Sequence, residues 1–159
     1  MIIRDFTRTL RVGLALLLLL GMTSQANGQS MEETNSALVR QAFEDWENGR
    51  GSVFDLLADD AEWVVAGVSP VSATYPTRQA LVEEAVEPIH AKLATAITPE
   101  VKQIIAQGNN VVVLWDGTAT ALDGAAYNNS YAWHLVMEAG AITRVTAFLD
   151  TWALVELME

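Results

Sequence analysis

Four stretches in the second half of the chain constrain its fold most. "EVKQIIAQ" (100–107), "VVVLWDGTATAL" (111–122), "AAYNNSYAWHLVM" (125–137) and "AITRVTAFL" (141–149) are dense in β-branched and aromatic residues, the composition of strands. Between them stand only Gly108-Asn109-Asn110, Asp123-Gly124 and Ala139-Gly140, which are hairpin signals. A parallel connection needs a dozen or more residues, so gaps this short join antiparallel neighbours. The first half reads differently. Val39, Ala42, Phe43 and Trp46 fall at i, i+3, i+4 and i+7, one apolar helical stripe, which Asn48-Gly49-Arg50-Gly51 ends. "SVFDLLADD" (52–60) reads as a short second helix and "AEWVVAG" as a short strand. Residues 67–77 form a loop marked by Pro70 and Pro76. Thr77 can cap a third helix running from 78 to about 93, which Pro88 kinks or ends early. "DTWALVELME" closes the chain as a short helix. Helices followed by an antiparallel meander make an α+β pattern.

The first 30 residues follow another logic. Arg4, Arg8 and Arg11 precede the apolar run "VGLALLLLLGM", and Ser24-Gln25-Ala26 fits a small-x-Ala cleavage site. This is the pattern of a secretory signal peptide, and the run is shorter than the roughly 20 apolar residues of a membrane span. The organisation read from sequence is therefore a signal peptide over 1–26, a flexible leader over 27–34 and one domain over 35–159. It implies a periplasmic or secreted product with no stable membrane anchor after cleavage. Without residues 1–26, which carry three Arg and one Asp, six basic and 19 acidic residues remain, a net charge of −13. Such a surface repels nucleic acid and anionic lipid. The chain has no cysteine, which removes disulfides and cysteine metal sites. Its two histidines, His90 and His134, are far apart and show no ligand spacing. No metal and no cofactor is expected.

Asp116 stands in the middle of a predicted strand, where acids are disfavoured. Its face depends on the following turn. If Asp123-Gly124 is a two-residue type I′ turn, Leu122 pairs with Ala125 and Asp116 faces Tyr131. Paired residues share a face, so Leu114, Asp116, Thr118, Asn129, Tyr131, Trp133 and Leu135 would lie together. Val113, Trp115, Ala132 and His134 would lie on the other side. A three-residue loop Glu138-Ala139-Gly140 would add Val145, Ala147 and Leu149 to the Asp116 face and send Arg144 to the opposite one. An aromatic, apolar face with a few polar groups is the usual composition of a small-molecule pocket.

Residues 35–158 resemble the SnoaL-like and ketosteroid-isomerase-like proteins of the nuclear transport factor 2-like (NTF2-like) superfamily. The resemblance is carried by "VRQAFEDWENG", "LLADDAEW", "YPTRQALVEEAV", "VVVLWDGTAT", "YNNSYAWHLVMEAGAITRV" and "FLDTWALVEL" in that order. It implies a cone-shaped fold, a curved antiparallel β-sheet wrapped around three N-terminal helices, with a pocket on the concave face. The general-base position of ketosteroid isomerases is held here by Val65, and their oxyanion-hole positions fall near Ala42 and Trp133. Of the five positions of limonene-epoxide-hydrolase-like enzymes only Asp116 matches; Leu114, Ala147, Trp63 and Val65 hold the others. Neither machinery is assembled. The resemblance also implies a pocket rim near Tyr75 and a homodimer through the outer sheet face, read here as the face with Trp115 and His134.

The expected catalytic candidates are Asp116, as an acid/base of a cyclase-, isomerase- or hydrolase-type reaction, and second to it Asp150. Against these stand a structural Asp116 bonded to Tyr131 or Thr118, and Asp150 as the N-cap of the last helix. The expected ligand-lining set is Trp46, Trp63, Tyr75, Leu114, Thr118, Asn129, Tyr131, Trp133 and Ala147, each weighed against ordinary core packing. Three functions remain open: an exported enzyme on a small apolar molecule, a non-catalytic carrier of one, or a dimeric interaction domain.

Overall fold

The structure is a computed structural model and describes residues 31–159. The signal peptide read over 1–26 lies outside the described residues. Helix α1 spans 31–47, so residues 31–34 of the expected leader are already helical. They are tied down: Glu32 Oε1 accepts the Gly108 N–H at 2.7 Å, and Asn35 Nδ2 donates to Gly108 O at 3.5 Å. This ties the helix start to the turn at Gly108. Gly49, at φ +67°, ends α1 as the residue that adopts the left-handed region without strain.

The expected second helix is a single 3₁₀ turn, Val53–Leu56, and strand β1 begins at once as Leu57–Val65. A two-residue strand β2, Thr74–Tyr75, pairs against it. Helix α2 has three parts: an α turn Arg78–Leu81, a π segment Val82–Val86 and an α turn Glu87–His90. Thr77 caps it, its side chain accepting from the Ala80 N–H. Pro88 has no N–H to donate and crowds the preceding turn. The helix widens just before it, with the Glu87 N–H reaching back to Val82 O. Strands β3 (Thr98–Gln107), β4 (Asn110–Thr120), β5 (Ala126–Glu138) and β6 (Ala141–Leu149) form the expected meander, and α3 (Thr151–Met158) follows. The sheet order is β2-β1-β6-β5-β4-β3. All neighbours are antiparallel except β1 and β6, which run parallel. The result is the α+β architecture expected, a curved sheet with helices on its concave side, but the sheet is open and mixed rather than purely antiparallel, because β1 and β6 run parallel within it.

The β4–β5 register differs from the one expected. Asp116 pairs with Ser130, Trp115 with Tyr131 and Leu114 with Ala132. The turn is longer by one residue: the Ala121 N–H bonds Ala125 O at 2.8 Å, leaving Leu122, Asp123 and Gly124 as the loop. A type I′ turn needs positive φ at both central residues. Gly124 has it at +90°, and Asp123 does not; the Asp123 carboxylate instead accepts the Ala125 N–H at 2.8 Å. The neighbouring segment also holds the strand end, with Leu122 N–H bonded to Lys92 O at 3.0 Å and Ala94 N–H to Thr120 O at 2.7 Å. A shift of one residue moves every β4 side chain to the other face. Trp115 therefore points into the core, 2% exposed, and Asp116 points out.

The β5–β6 hairpin departs from expectation without changing faces. Its loop is Ala139-Gly140, both at positive φ (50° and 84°), with Glu138 paired to Ala141. A bulge then follows, and Leu135 faces Val145 and Trp133 faces Ala147. Relative to the expected register this is a shift of two residues, and an even shift keeps each side chain on its face. Val145, Ala147 and Leu149 lie on the concave side, as expected. Arg144 lies on the convex side, 3.3 Å from Glu62.

Candidate functional site

The concave face of the sheet and the helices above it enclose an aromatic cluster. Trp115 and Tyr131 stack across the β4–β5 ladder with centroids 3.8 Å apart and planes 6° from parallel. Trp133 meets Trp115 at 4.7 Å and 79°, and Trp63 at 4.8 Å and 84°. Trp46 from α1 lies 5.2 Å from Trp115, and Phe43 lies 5.5 Å from it. Edge-to-face and offset-stacked pairs are the preferred aromatic geometries, each contributing about 0.5–1.5 kcal/mol beyond burial. The indole nitrogens of Trp115 and Trp133 are buried and have no hydrogen-bond acceptor among the described residues. Near-perpendicular packing is the arrangement in which a neighbouring π face can offset an indole N–H.

This cluster walls a cavity of about 90 Å³. Trp46, Phe54, Trp63 and Val65 form one side. Trp115, Tyr127, Tyr131, Trp133, Ala147 and Leu149 form the sheet side, and Leu81, Ala85, Val86, Ile89 and His90 of α2, with Ile97 and Leu154, form the lid side. No Asp, Glu, Lys or Arg lines it. Its polar groups are the Tyr127 and Tyr131 hydroxyls, 3.0 Å apart, the indole N–H groups of its tryptophans and the His90 ring at the exposed rim. Burial, and next to it the Tyr127 hydroxyl, hold the Tyr131 phenol well above its ordinary range, so it stays a neutral O–H. A groove of about 420 Å³ adjoins the cavity, and the two share Val65, Ala85, Ile89 and Leu154 as walls.

The structure brings together five residues of the expected ligand set: Trp46, Trp63, Tyr131, Trp133 and Ala147. Four others lie elsewhere. Tyr75 lines the adjoining groove, where burial and then Glu84 raise its phenol pKa. Asn129 is buried on the concave side but sits behind Tyr127, clasped to the backbone of Asp150. Leu114 and Thr118 moved to the convex face with the register. So did Asp116. Ser130 Oγ donates to its carboxylate at 2.7 Å and Lys102 Nζ lies 3.3 Å away, itself 2.6 Å from Glu100. The Ser130 hydrogen bond first, then Lys102, hold the Asp116 carboxyl below the usual carboxylate range. It is an ionised surface group away from the cavity, not an acid raised by an apolar pocket. Asp150 is the N-cap of α3, accepting from the Trp152 and Ala153 N–H groups. Trp115, placed on the outer face by the expected register, also lines the cavity, as do Tyr127 and His90, which the expected set did not include. His90 is an exposed helix residue at the rim, next to Ile89 of the wall. Among the described residues no group of three or more His, Asp or Glu is placed to hold a metal.

The fold recurs in solved structures. Bal32a from a soil-derived mobile gene cassette aligns at TM-score 0.67 with 15% identity, covering 81% of this chain and 99% of that one. An NTF2-like protein of unknown function from Burkholderia pseudomallei K96243 aligns at 0.66 with 22% identity, over 79% and 97% of the two chains. TerC, co-crystallized with polyporic acid, aligns at 0.60 with 21% identity, over 80% and 98%. At these identities the superpositions show a shared fold alone. No curated protein matches the chain significantly. The SnoaL-like domain model matches residues 39–145, from the inner stripe of α1 to the inward-facing Val145 of β6, and on that match the chain belongs to the SnoaL-like domain family.

Proposed function

We propose that the protein binds a small apolar molecule in the aromatic cavity and performs no acid/base chemistry through Asp116. One observation carries this: no acid lines the wall, and of the two acids read as catalytic candidates Asp116 lies on the opposite face of the sheet and Asp150 caps α3. Apolar walls with a few convergent polar groups are the mark of a ligand site. The cavity is smaller than the roughly 150 Å³ that accepts benzene in an engineered apolar cavity. A ligand of that size needs the wall to give, and the shared wall toward the groove, on α2 and α3, is where space adjoins. Benzene is a suitable first probe. At ten times its Kd it should add about 1.4 kcal/mol to stability, read as a rise in Tm of a few degrees. Ala147→Val, which fills the cavity from β6, should abolish that rise, and Asp116→Asn should leave it intact. No rise in the wild type at saturating benzene would contradict the reading.

A second reading concerns assembly. The convex face carries Leu114, Ala132, His134 and Val136, with Phe148 55% and Ile105 49% exposed. Its charges are ion-paired within the face, Lys102 with both Glu100 and Asp116, and Arg144 with Glu62. An apolar patch whose cations are already engaged by its own acids suits a twofold contact with a second copy. Trp115, expected on this face, takes no part. Phe148→Glu should convert a dimer into folded monomers in light scattering. A monomeric wild type at micromolar concentration would exclude the dimer. The basic start, apolar run and Ser-x-Ala site also support export, with N-terminal sequencing expected to read Asn27 first; an intact Met1 would exclude cleavage.

A further inference from the structure

The polar atoms beside the cavity can be assigned donor by donor. The Asn129 side-chain amide is oriented by the backbone of Asp150. Its Oδ1 accepts the Asp150 N–H at 3.0 Å, and its Nδ2 donates to Asp150 O at 2.9 Å. The remaining Nδ2 hydrogen points to Tyr127 Oη at 3.0 Å. Tyr127 Oη is therefore an acceptor on that side, and it lies 3.0 Å from Tyr131 Oη. Two phenols share one hydrogen bond, so one of their two protons is left over whichever way that bond runs. Among the described residues no acceptor takes it. A phenol that accepts a hydrogen bond becomes a stronger donor and a weaker acceptor. The chain therefore runs from Asn129 to Tyr127 to Tyr131 and leaves the Tyr131 O–H as the free hydroxyl donor; the other unpartnered donors on the wall, the Trp115 and Trp133 indole N–H groups, belong to rings packed nearly edge-to-face on each other.

Both tyrosines line the cavity. The Tyr131 ring is locked by its stack on Trp115 and by Gly117, where an added Cβ would come within 3.1 Å of Tyr131 Cε2. The donor is thus held in place before any ligand arrives. A buried donor without an acceptor is costly, and an acceptor supplied by a guest removes that cost. An anion is a poor candidate: one neutral donor does not offset the desolvation of a charge in an apolar site, and no Lys or Arg lines the wall.

Resting on the binding function proposed above, we infer that the ligand is a neutral, compact, apolar molecule bearing one carbonyl oxygen, which accepts the Tyr131 O–H, with Tyr127 and Asn129 positioning that donor. The test compares cyclopentanone with methylenecyclopentane, in which CH₂ replaces the oxygen. In wild-type protein the infrared carbonyl stretch of bound cyclopentanone should fall below its value in hydrocarbon solvent. Tyr131→Phe should return the stretch toward that value. It should weaken cyclopentanone binding roughly three- to tenfold, the usual worth of one neutral hydrogen bond, and leave methylenecyclopentane unchanged. Tyr127→Phe should give an intermediate stretch, because it keeps the donor and removes the group that polarises it. If methylenecyclopentane binds but bound cyclopentanone shows the hydrocarbon-solvent stretch in the wild type, the carbonyl inference is wrong and the apolar cavity stands. That result needs no variant to fold. If neither compound binds, the cavity function fails and the inference with it.

Discussion

Trp115→Glu is expected to unfold the protein. The side chain is 2% exposed and touches Phe43, Trp46, Tyr131 and Trp133. Removing a buried Trp to Ala costs about 3–5 kcal/mol, and a buried unpaired carboxylate adds to that. The total is a large share of the roughly 5–15 kcal/mol that holds a domain together. Loss of the cooperative near-UV transition, or recovery only as insoluble protein, is the result expected. Phe148→Glu, on the same sheet but on its convex face, should keep the wild-type stability within about 1 kcal/mol. A soluble, folded Trp115→Glu protein would mean that β4 presents its other face to the core.

Gly117→Val should be the second most damaging single change. Valine suits a strand, so a loss there would come from crowding alone. A Cβ at Gly117 would stand 3.0 Å from Ile97 Cγ2, 3.0 Å from Trp115 Cζ3 and 3.1 Å from Tyr131 Cε2 at once. Two of those atoms belong to rings stacked on each other and cannot swing aside separately. Overpacking of this kind costs about 1–3 kcal/mol, and valine's extra methyls place it at the upper end. Thermal melting should show a drop on the order of 5–10 °C for a domain of this size. A wild-type Tm would show that the stack has room the structure does not give it.

Both predictions turn on a point the sequence states ambiguously. The four strands of the meander and the concave placement of Trp133, Ala147 and Leu149 were legible because alternation along these strands is strong, whereas β2 and the first half of β1 were read as loop and helix. The face of β4 was not, because Val113, Leu114 and Trp115 are consecutive apolar residues and either parity buries some of them. The choice then rested on one turn. Asp123-Gly124 serves equally as a two-residue turn or as the end of a three-residue loop, and its neighbour 91–94 decided between them through backbone bonds to Thr120 and Leu122. Such contacts leave no mark in the sequence. The β5–β6 turn was also misread, by one residue, but the bulge after it brought the register shift to two, so the faces survived. Gly117 was the overlooked clue: a glycine inside a strand often marks a close approach, here of an aromatic stack, and it shares its face with Trp115 rather than with Asp116.

The five tryptophans supply the most direct test of the cavity. Trp46, Trp63, Trp115 and Trp133 line it, and Trp152 is 70% exposed on α3 and outside its wall. In a nitrogen–proton spectrum each indole N–H gives one signal, and a benzene guest shifts nearby signals by its ring current. The predicted result is that the four cavity signals move together and saturate with benzene while the Trp152 signal stays fixed. Movement of Trp152 alone, or no saturable movement of the other four, would contradict the account.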